Sequence, residues 1–139
     1  MVHALDEIRR VLVKDGVLID LRPLGDKWRV EVFSARETRQ TGTMTDLPAG
    51  LEDDNAANQA MKEGERRGWF VREKEEIFSI HYIWDSASEM EEWIDTEWEG
   101  FVSLGEETRR ATRSAWALGD ADSRVRVEVK VLITRWKKL

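Results

Sequence analysis

From Val125 to Ile133 every second residue is a β-branched aliphatic: Val125, Val127, Val129, Val131 and Ile133. Arg126, Glu128, Lys130 and Thr134 share the opposite parity, with Leu132 and Trp136 adding apolar surface to that second side. Successive side chains of an extended chain point to opposite faces, so this pattern predicts a long, half-buried antiparallel strand near the C-terminus. It needs a long partner, and Trp69–Trp84 is the segment that fits. There Trp69 and Val71 are odd-numbered, whereas Phe78, Ile80 and Tyr82 are even-numbered. The change of phase near Glu75-Glu76 is that of a β-bulge, or of a strand apolar on both faces from Ile77 onward.

Helices must cover such strands, and the spacing predicts four. Leu5, Ile8, Val11 and Leu12 recur at three and four, which sets an amphipathic helix over Ala4–Val13. Asp15-Gly16 ends it, and Val17–Leu21 follows as a short, almost wholly apolar strand that wants cover on both faces. Trp28, Val30 and Val32 alternate with charged residues in a second strand over Lys27–Phe33. Ser34–Gly42 reads as a hairpin or loop, with a short strand at Thr43-Met44-Thr45. Leu51–Arg67 is weakly amphipathic and carries Gly64 in its last turn. Ser86-Ala87-Ser88-Glu89 and Ser103-Leu104-Gly105-Glu106 both spell a capping box, predicting two further helix starts, and Gly119 is placed to end the last helix.

Composition narrows the class. The chain has 139 residues, 41% of them hydrophobic, which suits a single domain over residues 1–139 with its own core. With 22 basic and 28 acidic side chains its net charge is −6, which disfavours a general nucleic-acid binder. Arg109, Arg110, Arg113 and the Lys137-Lys138 end read as solvated surface. There is no cysteine, so disulfides, thiolate metal sites and cysteine nucleophiles are excluded together. No apolar window reaches the roughly 18 residues a membrane helix needs, and a soluble, cytoplasmic protein without membrane contact is expected.

The run Leu5, Glu7, Ile8, Arg10-Val11-Leu12, the turn Lys14-Asp15-Gly16-Val17 and the strand Val17–Asp20 resemble the late helix, turn and fifth strand of class I S-adenosylmethionine-dependent methyltransferases. The order of the later strands and helices is similar to the rest of that family's C-terminal half. The resemblance implies an α/β fold, α+β-like in the isolated chain: a truncated methyltransferase-like mixed sheet, mainly antiparallel, packed with three to four helices. The family's glycine-rich loop and ribose-binding acid have no counterpart here, since Gly16, Gly25, Gly42, Gly64 and Gly100 are isolated. No residue carries over to the cofactor site, and the isolated chain is expected to hold no cofactor. The resemblance further implies that Val17–Leu21 lacks its neighbours on one side. Val17, Ile19 and Leu21 are then interface residues, for a homodimer or for a separately encoded partner.

Polar candidates are few. Arg22 offers planar donors to an anion, His81 a proton near neutral pH and Tyr82 a phenol, with Asp20 beside Arg22. These are weak catalytic candidates. Glu73, Glu75 and Glu76 read as a solvated strand segment rather than a carboxylate pair, and the acids from Glu89 to Glu99 lie scattered round a helix, so no metal site is expected. Seven tryptophans point to core or interface anchors, with an aromatic ligand pocket as the alternative. Three functions follow: a non-catalytic methyltransferase-like remnant that dimerises; a partner-binding or regulatory subunit completing a methyltransferase in trans; or a small-molecule enzyme of another class using the Arg22/His81 region.

Overall fold

The alternating C-terminal segment forms a 15-residue strand, matched in length by Phe70–Trp84. The computed structural model describes residues 2–139. In chain order the elements are α1 (Val2–Val11), β1 (Val17–Pro23), β2 (Arg29–Phe33), β3 (Thr38–Thr43), β4 (Thr45–Asp46), α2 (Pro48–Arg66), β5 (Phe70–Trp84), α3 (Ala87–Glu97), β6 (Val102–Ser103), α4 (Glu106–Ala117) and β7 (Arg124–Lys138). Two compact units result. The first holds the chain up to Leu24 with Glu52–Phe78 and Val131–Leu139; the second holds Gly25–Leu51 and Ser79–Lys130. Both β5 and β7 contribute to each unit.

In the first unit β1 lies antiparallel to the C-terminal part of β7, with Val17 opposite Lys137, Ile19 opposite Arg135 and Leu21 opposite Ile133. Leu5 of α1, Ala60 and Met61 of α2, Phe70 of β5 and Trp136 of β7 form the core, and Ile8, Leu12, Leu18 and Trp69 pack against it. The helical spacing of Leu5, Ile8 and Leu12 thus serves one apolar contact face. At the end of α1, the Lys138 ammonium donates to the carbonyls of Arg9 at 2.7 Å and Leu12 at 2.5 Å. A cation there satisfies acceptors that the last turn leaves open and opposes the negative end of the helix dipole. Side-chain partners also tie β5 to β7: Glu73 meets Arg135 at 2.8 Å and Glu75 meets Thr134 at 3.3 Å.

In the second unit β2 pairs with β3 in a hairpin and with the N-terminal part of β7, both antiparallel. Val30 lies opposite Val127 and Val32 opposite Val125, and all four are buried with Met44, Met90, Ile94 and Leu104. The segment expected as hairpin or loop is more regular than its polar sequence suggests: Thr38–Thr43 is a strand, and Ser34 closes the turn by bonding Glu37 across it. Helix α4 packs on β2 and β3, and α3 packs on α4. Thr112 of α4 is fully buried because its hydroxyl meets the Thr108 carbonyl and the Thr41 hydroxyl, each at 2.7 Å. A two-stranded ribbon pairs Thr45 with Ser103 and Asp46 with Val102.

Two expectations are corrected. The second capping box does not form, because Ser103 is drawn into the β4–β6 ribbon and α4 starts at Glu106 with Gly105 as its cap. More consequentially, the methyltransferase-like sheet is not what the strands build. The fold is mixed α/β with mostly antiparallel strands and four helices among the described residues, and it has no parallel Rossmann-like sheet. Parallel neighbours require helical crossovers, whereas β2 and β3 are joined by a tight turn and β7 runs against both β1 and β2.

Candidate functional site

Arg22, the strongest polar candidate of the first unit, is fully occupied. Its Nε donates to Asp20 at 3.0 Å, one terminal nitrogen to the Asp54 carbonyl at 3.3 Å and the other to Asn58 Oδ1 at 2.9 Å. The structure therefore brings Asp20 and Arg22 together, as a clamp from β1 onto α2. His81 and Tyr82 belong to the second unit. As successive residues of β5 they point to opposite faces of the strand, and both are exposed. Tyr82 joins an aromatic cluster, edge-on to Trp98 at 5.1 Å and stacked near Trp84 at 6.2 Å. Trp28 meets Trp98 at 5.5 Å, and Trp93 lies 6.4 Å from Trp84.

The three acids of β5 are matched with bases. Glu73 bonds Arg135, Glu75 bonds Arg72 and Thr134, and Glu76 bonds Lys74. Two of the acids of α3 are likewise drawn to α4: buried Glu91 takes Arg113 at 2.7 Å, and Asp95 takes Arg109. The Arg109 hydrogen bond holds the Asp95 carboxyl below its ordinary range.

Sequence reasoning missed the most desolvated charges. Glu31 of β2 and Glu128 of β7 are both buried. Arg126 donates to Glu31 at 2.6 Å; Glu128 accepts from Ser79 at 2.7 Å, from Arg29 Nε at 2.7 Å and from Lys130 at 3.4 Å. Lys130 also reaches the Ser79 hydroxyl at 3.2 Å. A serine between a lysine and a glutamate invites a nucleophile reading, but the protons sit wrongly for it. The Ser79 hydroxyl and the Arg29 guanidinium hold the Glu128 carboxyl at about 2, and a carboxylate that acidic is a poor general base near neutrality. The cluster binds β2, β5 and β7 within the second unit. Its signal lay in the charges alternating with valines on β2 and β7, which become partners only once the register is known.

What remains open is the free edge of β1. This strand has β7 as its only strand neighbour among the described residues, so its other edge keeps unpaired backbone donors and acceptors. Val17, Ile19 and Leu21 share one face and are 38%, 50% and 59% exposed, so the expected cover on both faces is not supplied. Alongside runs an open apolar groove. It is lined by Ala4, Leu5 and Ile8 of α1, by Leu18–Leu21 of β1 and by Ala57, Ala60 and Met61 of α2.

No helix among the described residues is long and apolar enough to cross a membrane. The methyltransferase reading of the function is overturned along with that of the fold, because neither the parallel sheet nor an S-adenosylmethionine-binding motif is present among the described residues. The chain matches no protein-family model, no curated protein and no solved structure.

Proposed function

We propose that this chain is an assembly module that self-associates through the free edge of β1. The observation that carries the reading is the coincidence, on one strand, of an unpaired edge, three exposed aliphatic side chains and an adjoining apolar groove. Leaving such an edge bare invites strand addition.

A second copy is the occupant that the sequence of β1 favours. Two β1 strands laid antiparallel about Ile19 set Val17 against Leu21 of the second copy and Ile19 against its own counterpart, so the exposed side chains cover one another. The arrangement is isologous, the commonest symmetry of small oligomers. Each aliphatic cross-strand pair contributes about 0.2–1 kcal/mol beyond the backbone hydrogen bonds, and the groove adds burial of apolar area. The acidic balance of 28 against 22 also favours a protein partner over a phosphate backbone.

Light scattering at micromolar concentration is the test. The expected mass is near twice 16.2 kDa, and Ile19→Glu should return it to 16.2 kDa with the circular dichroism spectrum unchanged. A wild-type monomer across the concentration range, or a dimer indifferent to Ile19→Glu, would refute the proposal.

A further inference from the structure

A second open groove lies on the other unit and differs in chemistry from the β1 edge. Trp84 at the end of β5 and Trp93 of α3 line it, with Glu89, Glu92 and Thr96. The two indole planes are inclined at 53°, and Tyr82 backs both rings at 6.2 and 6.5 Å. Trp93 and Tyr82 remain 40% and 38% exposed, a large amount of aromatic surface to leave in water.

The polar groups of the groove restrict what can cover that surface. Glu89 is engaged at the start of α3, where it accepts from the Asp85 amide, and the Thr96 hydroxyl is turned back onto the Glu92 carbonyl at 2.8 Å. The Glu92 carboxylate makes no hydrogen bond or ion pair among the described residues. No basic residue lines the groove. An aromatic face is negative at its centre, and a rim carboxylate adds to that field. A sugar would find few free hydrogen-bonding groups here, a neutral apolar group would leave Glu92 unused, and a bare ammonium would surrender a strong hydration shell to reach the rings. A cation clothed in methyl groups meets all three conditions: apolar contact, positive charge and low hydration.

We propose that the Trp84/Trp93 groove binds an alkylated ammonium group. The same chemistry is offered by a free N-methylated amine and by a methylated lysine side chain. Tetramethylammonium is the first probe, followed through the indole N–H signals of Trp84 and Trp93 in nitrogen-edited NMR spectra. Those signals should shift and saturate at millimolar concentration. The uncharged isostere 3,3-dimethylbutan-1-ol should bind at least about tenfold more weakly, Trp93→Ala should weaken tetramethylammonium binding about five- to tenfold and Glu92→Gln about threefold, consistent with cation–π and charge contributions at an exposed site. A short peptide carrying trimethyllysine separates the sources: binding at least tenfold tighter than tetramethylammonium assigns the site to a protein side chain, and equal or weaker binding assigns it to a free amine. Equal affinity for the uncharged isostere, no saturable shift, or full binding by a correctly folded Trp93→Ala protein would overturn the proposal. None of these outcomes depends on the oligomeric state, so the site and the β1 edge stand or fall separately.

Discussion

Glu128 illustrates how far a single residue can depart from the face its sequence suggests. Its parity with Arg126 and Lys130 marks a solvent face, yet it is only 7% exposed. Its partners there are Ser79, 49 residues away, and Arg29, 99 residues away, which become neighbours only through the pairing of β5 and β2 with β7. Because the folded carboxyl is held at about 2 instead of 4.5, its stabilising contribution is fully present above pH 4.5 and is lost as pH falls through 2. Glu128→Gln should therefore lower stability by about 1–3 kcal/mol at neutral pH, and thermal unfolding should show the gap to wild type closing between pH 4.5 and 2. Gly42 is a residue of the opposite sort, needed for what it lacks. A Cβ there would stand 2.3 Å from the Thr108 hydroxyl and 2.9 Å from Thr108 Cβ, where α4 crosses β3. Gly42→Ala should cost about 1–3 kcal/mol of overpacking, measurable by urea denaturation. In the sequence this glycine is one of several isolated ones, and only the helix lying on it sets it apart.

At the scale of elements, local spelling was a good guide where a segment's own backbone used it, and a poor one where a distant strand competed. Ser86 caps α3 as its sequence requires, accepting from the Glu89 amide at 3.2 Å, while Glu89 reaches back to the Asp85 amide. Ser103 spells the same box and instead pairs with Thr45. The two serines make a matched experiment: Ser86→Ala should lower stability by about 1 kcal/mol in chemical denaturation, whereas Ser103→Ala should leave the start of α4 intact, because no side-chain cap is lost. Periodicity likewise located α1, α2, β1, β2, β5 and β7 to within a few residues, since burying one face of a helix or strand is a local constraint. It overlooked β3, whose Thr38–Thr43 run is polar and is held by hydrogen bonds to β2 rather than by an apolar face.

For the whole molecule the deciding matter is which edges and faces are left without a neighbour. Val17, Ile19 and Leu21 stood out in the sequence through the methyltransferase likeness, which does not hold; their exposure is a property of the structure, in which the face they share is left without cover. If β1 edges pair, the mass should follow concentration: light scattering through a dilution series should pass from near 32 kDa, twice 16.2 kDa, toward 16.2 kDa, and Leu21→Lys should shift that transition to higher concentration. The methyltransferase likeness failed at this same scale. A helix, a turn and an apolar strand make a local pattern, and the direction and order of the strands around it are not written in that pattern. Short-range physics, namely period, caps, turns and the absence of cysteine, let the sequence determine the segments with an apolar face, α1, α2, β1, β2, β5 and β7, and the cysteine chemistries that are excluded. Only the tertiary structure decided which strands pair and in what register, that Glu31 and Glu128 are buried, that Arg22 is spent on α2 and that β1 and the Trp84/Trp93 groove stay open, because each depends on contacts between segments far apart in the chain.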